Sequence, residues 1–236
     1  MRRNKPSQPR SIEMTTGSLW RNILLFSLPL MLTQVLEVLF NLSDVAIAGK
    51  FAGYVALGAV GSTTLLVSLF TGLLIGMGAG VNVAIARSLG LGDDEQLERT
   101  LHTSFLICAC AGLLVCLVCA GLAGPMLRML HTKDELIDSA VSYLRIYALG
   151  LPAMAIYNFG NGDTKRPLIY LSVAGAVNVA LNLFFVIVCN LAATGVAIAS
   201  AIAQCLSALL IVLHLLRRPD ACRLQLSKLR FHRAEC

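Results

Sequence analysis

Charge is scarce in this sequence, and that scarcity excludes the most. Only 14% of the 236 residues are Asp, Glu, Lys or Arg, against about 25% in a soluble domain. So little charge does not cover a large water-soluble core. Aromatic residues stand at 6% and do not alternate with basic ones, so there is no base-stacking surface. The net charge of +6 is therefore not read as nucleic-acid binding. The enzyme motifs HExxH, GxSxG and the phosphate-binding loop are missing, so neither an enzyme nor a cofactor is expected.

Long apolar runs are present in their place. They cover Leu19 to about Ala48 with Pro29 inside, Val55 to about Ala86, Leu101 to Ala123 ended by Gly124-Pro125, Leu136 to Gly160, Leu168 to Val188, and Leu191 to Leu216. A bilayer crossing takes about 20 apolar residues. The runs lack the alternation of barrel strands. The expected fold is an all-α membrane protein: a polar, basic segment 1–18, a six-helix transmembrane lobe over 19–216, and a basic tail over 217–236. The first run is long enough to be an uncleaved span rather than a signal peptide.

The eight cysteines are not a disulfide framework. Cys108, Cys110, Cys116, Cys119, Cys189 and Cys205 lie inside apolar runs and read as small packing residues, the Cys116–Cys119 pair included. Cys222 and Cys236 read as free thiols in the tail.

Basic residues set the orientation. With the amino terminus cytoplasmic, 15 of the 19 Lys and Arg fall in cytoplasmic segments; Lys50, Arg128 and Lys133 fall outside, and Arg145 within the fourth run. Both termini are thus expected inside, in the inner membrane of a cell. Asp138, Ser142 and Arg145 share one face of the fourth run, which should look at protein or water. An interfacial helix is the alternative there, but removing one span would place the basic tail outside. Gly72, Gly76 and Gly80 form a small-residue stripe suited to close helix packing.

The candidate site residues are polar groups at membrane depth. Asp44 lies near the end of the first run, where a carboxylate costs about 2.5–3.5 kcal/mol on insertion scales. Two readings stand side by side: a group that exchanges a proton or holds a cation, and an interfacial Asp that caps the Gly49-Lys50 loop. Gln34, Glu37 and Asn41 extend a polar stripe toward it. Asn178 and Asn182 share a face of the fifth run, and Ser200 and Gln204 share a face of the sixth. Simple helix gluing competes with a shared polar cavity as the explanation of these pairs.

Several stretches, in this order and spacing, resemble multidrug and toxic compound extrusion (MATE) transporters. They are Leu28-Pro29-Leu30, Asn41-Leu42-Ser43-Asp44, Ala86-Arg87-Ser88-Leu89-Gly90, Tyr143-Leu144-Arg145-Ile146-Tyr147 with Leu151-Pro152, Gly162-Asp163-Thr164-Lys165-Arg166-Pro167, the two Asn, and Ala197-Ile198-Ala199-Ser200. The resemblance implies a multidrug efflux antiporter that exports cationic or apolar small molecules in exchange for H+ or Na+. It implies that Asp44, with Asn178, Asn182 and Ser200, carries the coupling ion, and that Gln34, Glu37, Asn41 and Gln204 line the cavity. Relatives often have Asp at the position of Asn182 and Thr at that of Ser200, so a paired-carboxylate site is not implied. The family has two lobes, and this chain matches the amino-terminal one. The fourth run also meets the Gly162-Asp163 element several residues early. Lipid, a small-molecule substrate and a second lobe or second copy are the implied partners. A non-transporting remnant and a lipid-linked precursor flippase are the competing readings. The flippase ranks last, because Arg145 is the only basic residue available to a cavity.

Overall fold

The computed structural model describes residues 19–91, 94–159 and 165–217. The 1–18 segment, the Gly162-Asp163-Thr164 element and the tail from Arg218, with Cys222 and Cys236, lie outside the described residues. The described chain is helical: α1 (Leu19–Ile47), a π-helical turn (Ala48–Ala52), α2 (Gly53–Leu91), α3 (Asp94–Met129), α4 (Asp134–Ala148), α5 (Leu151–Asn158), α6 (Lys165–Leu183), a second π-helical turn (Phe184–Val188) and α7 (Ala192–Arg217). Helix is the expected state for such runs, because hydrocarbon offers backbone N–H and C=O groups no partner but each other.

By length and composition four continuous stretches can cross a bilayer, and α4 with α5 forms a fifth. The longest stretch, Ser27–Ser88, has 62 residues, about 93 Å of helix at 1.5 Å per residue and far more than one crossing needs. It divides at Gly53, whose φ of +82° lies in the left-handed region that a side chain disfavours. Counting α1 and α2 separately gives six crossings.

The two ends of the lobe show the alternation. Ile47 at the end of α1 and Ala48 in the first π-helical turn share a core cluster with Ala56 and Ala59 at the start of α2, Leu127 near the end of α3, Ala140 of α4 and Val196 of α7. At the other end Ile85 of α2, Leu97 and Leu101 of α3, Phe159 after α5 and Leu215 of α7 close a second cluster. Large apolar side chains such as Trp20, Leu24, Met31, Leu65, Leu69 and Leu117 are exposed. So broad an apolar surface suits lipid, not water.

Four expectations change. First, α3 does not stop at Gly124-Pro125 but runs to Met129. Proline deletes one backbone bond, yet Ala123 and Leu127 on either side are fully buried and hold the two turns in line. Second, the fourth run is not one helix. It breaks at Leu149-Gly150 and bends by 42°. Leu149 and Gly150 donate to the Ile146 and Tyr147 carbonyls in tight turns. At Gly150 a Cβ would meet the Gln204 side chain and the Ala201 backbone of α7, so the glycine admits α7 at the bend. Third, Gly72, Gly76 and Gly80 face open space. Gly78, between them, is the one packed against the Asn158 backbone of α5. Fourth, Asp138, Ser142 and Arg145 are exposed on the outside of the lobe, because α4 turns Tyr143, Leu144, Tyr147 and Ala148 inward. Arg145 Nε donates to the Ala120 carbonyl of α3 at 3.3 Å.

A small polar cluster ties the α3–α4 turn to α2. Tyr54 donates to Glu135 at 3.0 Å, and Lys133 donates to the Tyr54 oxygen at 3.3 Å. The hydrogen bond to Tyr54, helped by the Glu135 carboxylate, raises the Lys133 pKa above its ordinary value.

Candidate functional site

Asp44 is buried inside the lobe, and it closes a ring with three side chains from two other helices. Asn182 Nδ2 donates to Asp44 Oδ1 at 2.5 Å, and Ser200 Oγ donates to Asp44 Oδ2 at 2.8 Å. Asn178 Nδ2 donates to Ser200 Oγ at 3.3 Å. Asn182 Nδ2 also reaches Asn178 Oδ1 at 3.2 Å. Helical periodicity makes the ring: Asn178 and Asn182 lie one turn apart on α6, and both are buried. Among the described residues, no Lys, Arg or His lines the adjacent cavity. Both carboxylate oxygens are satisfied by neutral donors alone, which hold a charge in place without cancelling it. Asn182 Oδ1 is buried with no hydrogen-bond partner among the described residues, so an oxygen ligand sits unused beside the carboxylate.

The arrangement separates the two readings of Asp44. Its partners are 138 and 156 residues away in sequence, so it is not a local cap of the Gly49-Lys50 loop. Both π-helical turns lie close by, one beginning four residues after Asp44 and the other two residues after Asn182. Such turns recur at functional positions in helices.

The cavity beside the ring holds about 90 Å³ and is lined by Glu37, Phe40, Asn41, Asp44, Tyr147, Met154, Tyr157, Leu171, Ala174, Gly175, Asn178, Ser200, Ala203, Gln204 and Ser207. Several waters fit there, but a drug-sized molecule usually takes roughly 300–1,000 Å³. The stripe expected on α1 is divided. Glu37 is half-buried and Asp44 buried, whereas Gln34 and Asn41 are exposed. Gln34 does not line the cavity. At about 100° per residue, Glu37 and Asp44 differ by about 20° around the helix, while Gln34 is turned a further 60–80° away. Asn41 reaches the lining, but its Nδ2 donates to the Glu37 carbonyl of its own helix at 3.0 Å. Gln204 lies beside the Tyr147 hydroxyl.

Sequence reasoning did not single out Phe40, Tyr147, Tyr157 or Ser207. Tyr143 and Tyr147 are one turn apart and stack, with ring centroids at 6.0 Å and an interplanar angle of 17°. That spacing was the available signal. The Phe40 ring occupies the space where a side chain on Gly175 of α6 would sit, so this glycine lets α1 and α6 approach.

The MatE family model matches residues 29–174. The Probable multidrug resistance protein YoeA of Bacillus subtilis (strain 168) is 29% identical over 170 residues, 70% of this chain and 37% of that protein. The Probable multidrug resistance protein YpnP of the same organism is 26% identical over 203 residues, 83% and 45% of the two chains. A MATE crystal structure in the bent conformation superposes with a TM-score of 0.85 at 23% identity, covering 93% of this chain and 50% of that one. The chain spans about half the length of these relatives or less. A family match over more than half the residues, joined to a six-crossing helical lobe, places this chain in the MATE family of membrane transporters, which are not enzymes.

Proposed function

We propose that this chain is one lobe of a multidrug efflux antiporter and that Asp44 carries its coupling ion, H+ or Na+. The closed ring around Asp44 is the supporting observation. A carboxylate held only by neutral donors binds a cation without competition from a built-in one. A proton neutralises it and weakens its grip on Asn182 and Ser200; Na+ is met by the carboxylate and by Asn182 Oδ1. Either event alters the contacts of α1 with α6 and α7, the change that alternating access needs.

Cationic or apolar small molecules are the proposed substrates. The cavity is too small for a drug, so the body of the substrate lies between this lobe and a second one, or a second copy. Among the described residues, none that lines the cavity is basic, and Arg145 is exposed on the outside of the lobe. Both facts disfavour a phosphate-bearing lipid substrate. The proposed setting is the inner membrane with both termini cytoplasmic, following the charge bias.

The test is liposome reconstitution with an imposed H+ or Na+ gradient and a fluorescent cationic dye, with and without a second six-helix lobe supplied. Gradient-driven dye movement is expected only when the second lobe is present, and it should vanish in Asp44→Asn. Movement that survives Asp44→Asn would refute the coupling role.

A further inference from the structure

Two carboxylates face the cavity, and they are in opposite states. Asp44 has both oxygens occupied by donors. Glu37 lies seven residues earlier on the same face of α1, about 10 Å along the helix axis. It lines the same cavity, yet its carboxylate accepts no hydrogen bond among the described residues. Glu37 is half-buried in an apolar helix whose neighbouring side chains Val38 and Leu39 are exposed as lipid-facing groups. A carboxylate without a donor at this depth is costly, and among the described residues the lining offers no Lys, Arg or His to offset it. It offers aromatic rings instead: Phe40, Tyr147 and Tyr157. Two of the rings are held in place, Phe40 over Gly175 and Tyr147 stacked on Tyr143. A carboxylate with several fixed rings is the chemistry that receives a substituted ammonium, because ring faces attract cations.

We propose that Glu37 is the carboxylate that meets a substrate's positive charge, as an alkylammonium head group caged by Phe40, Tyr147 and Tyr157, and that Asp44 is reserved for the coupling ion. This inference rests on the antiporter reading above and adds the substrate contact to it. The 90 Å³ of the cavity suits one such head group, with the rest of the molecule outside. The saturated ring at Asp44 has no need of a substrate nitrogen, whereas the Glu37 carboxylate accepts no hydrogen bond among the described residues. Substrate and ion then bind at separate carboxylates within one cavity.

Equilibrium binding to the purified chain in detergent micelles tests this. Benzyltrimethylammonium is the cationic probe, since its charge does not titrate, and its uncharged carbon isostere is the control. The unaltered chain should bind the cation at least about tenfold tighter than the isostere. Glu37→Gln should lower the cation affinity about tenfold and the isostere affinity less than about twofold. Glu37→Asp should retain most of the cation preference, and Asp44→Asn should cost less cation affinity than Glu37→Gln does. Thermal unfolding of each variant in the same detergent checks that the lobe stays assembled. If Glu37→Gln proves unstable, a full cation preference in Glu37→Asp with the loss appearing in Asp44→Asn overturns the inference. So does a folded Glu37→Gln that binds the cation like the unaltered chain. An unaltered chain that prefers the neutral isostere overturns the cationic-substrate reading itself.

Discussion

The ring at Asp44 and the cluster at Tyr54, Lys133 and Glu135 are built from similar hydrogen bonds but differ in every consequence. The first is buried, joins α1, α6 and α7, and holds a negative charge with amides and a hydroxyl. The second is exposed at the α3–α4 turn and contains its own cation, with Lys133 Nζ 4.0 Å from Glu135. Water and ions screen the exposed cluster, so its members are individually dispensable. The ring is buried and borders only a small cavity, so screening is weaker there and each donor matters more. Here the unbalanced carboxylate is buried among three helices, whereas the balanced pair is exposed and ties the α3–α4 turn to α2.

Asp44→Asn should separate function from folding most sharply. The amide keeps the shape and removes a buried charge, so thermal stability in detergent should stay unchanged or rise, while gradient-driven flux falls to background. A stable variant that still transports would erase the distinction between the two regions. Asn182→Ala should cost about 2–3 kcal/mol, because it strips a donor from a buried carboxylate; chemical denaturation of the reconstituted lobe measures it. Gly175→Val should cost about 1–3 kcal/mol by forcing Phe40 out of its seat and spreading α1 from α6. An unaltered melting temperature there would show that the α1–α6 contact does not support the ring. Glu135→Gln should change neither transport nor melting temperature by more than about 1 °C. A large effect would mean that the exposed cluster clamps the lobe after all.

Much of the site was legible because polar residues in an apolar helix advertise themselves. Asp44, Asn178, Asn182 and Ser200 each stand out within their runs, and the structure brings all four together. Gln34 stood out equally, yet it lies outside the cavity, because a stripe with i, i+3, i+7, i+10 spacing spreads over about 80° of helix and only its inner edge turns inward. The tyrosines of α4 and α5 were less visible, since aromatic residues are at home in a membrane helix wherever they point. The helix break at Leu149-Gly150 was hidden for a related reason. Gly150 and Pro152 are tolerated in continuous membrane helices, and the contact with Gln204 of α7, 54 residues on, is what accompanies the bend there.

The sequence by itself determined that this protein is a bundle of membrane-crossing helices, because scarce charge and runs longer than 20 residues point to hydrocarbon, where the backbone must satisfy itself, and the lack of strand alternation rules out a barrel. It also determined where polar groups enter that bundle. Only the tertiary structure decided which of them meet. Whether two faces of separate helices confront each other depends on rotations of a few tens of degrees and on close approaches at Gly150 and Gly175. Those are set by packing among all the helices at once rather than by any one run.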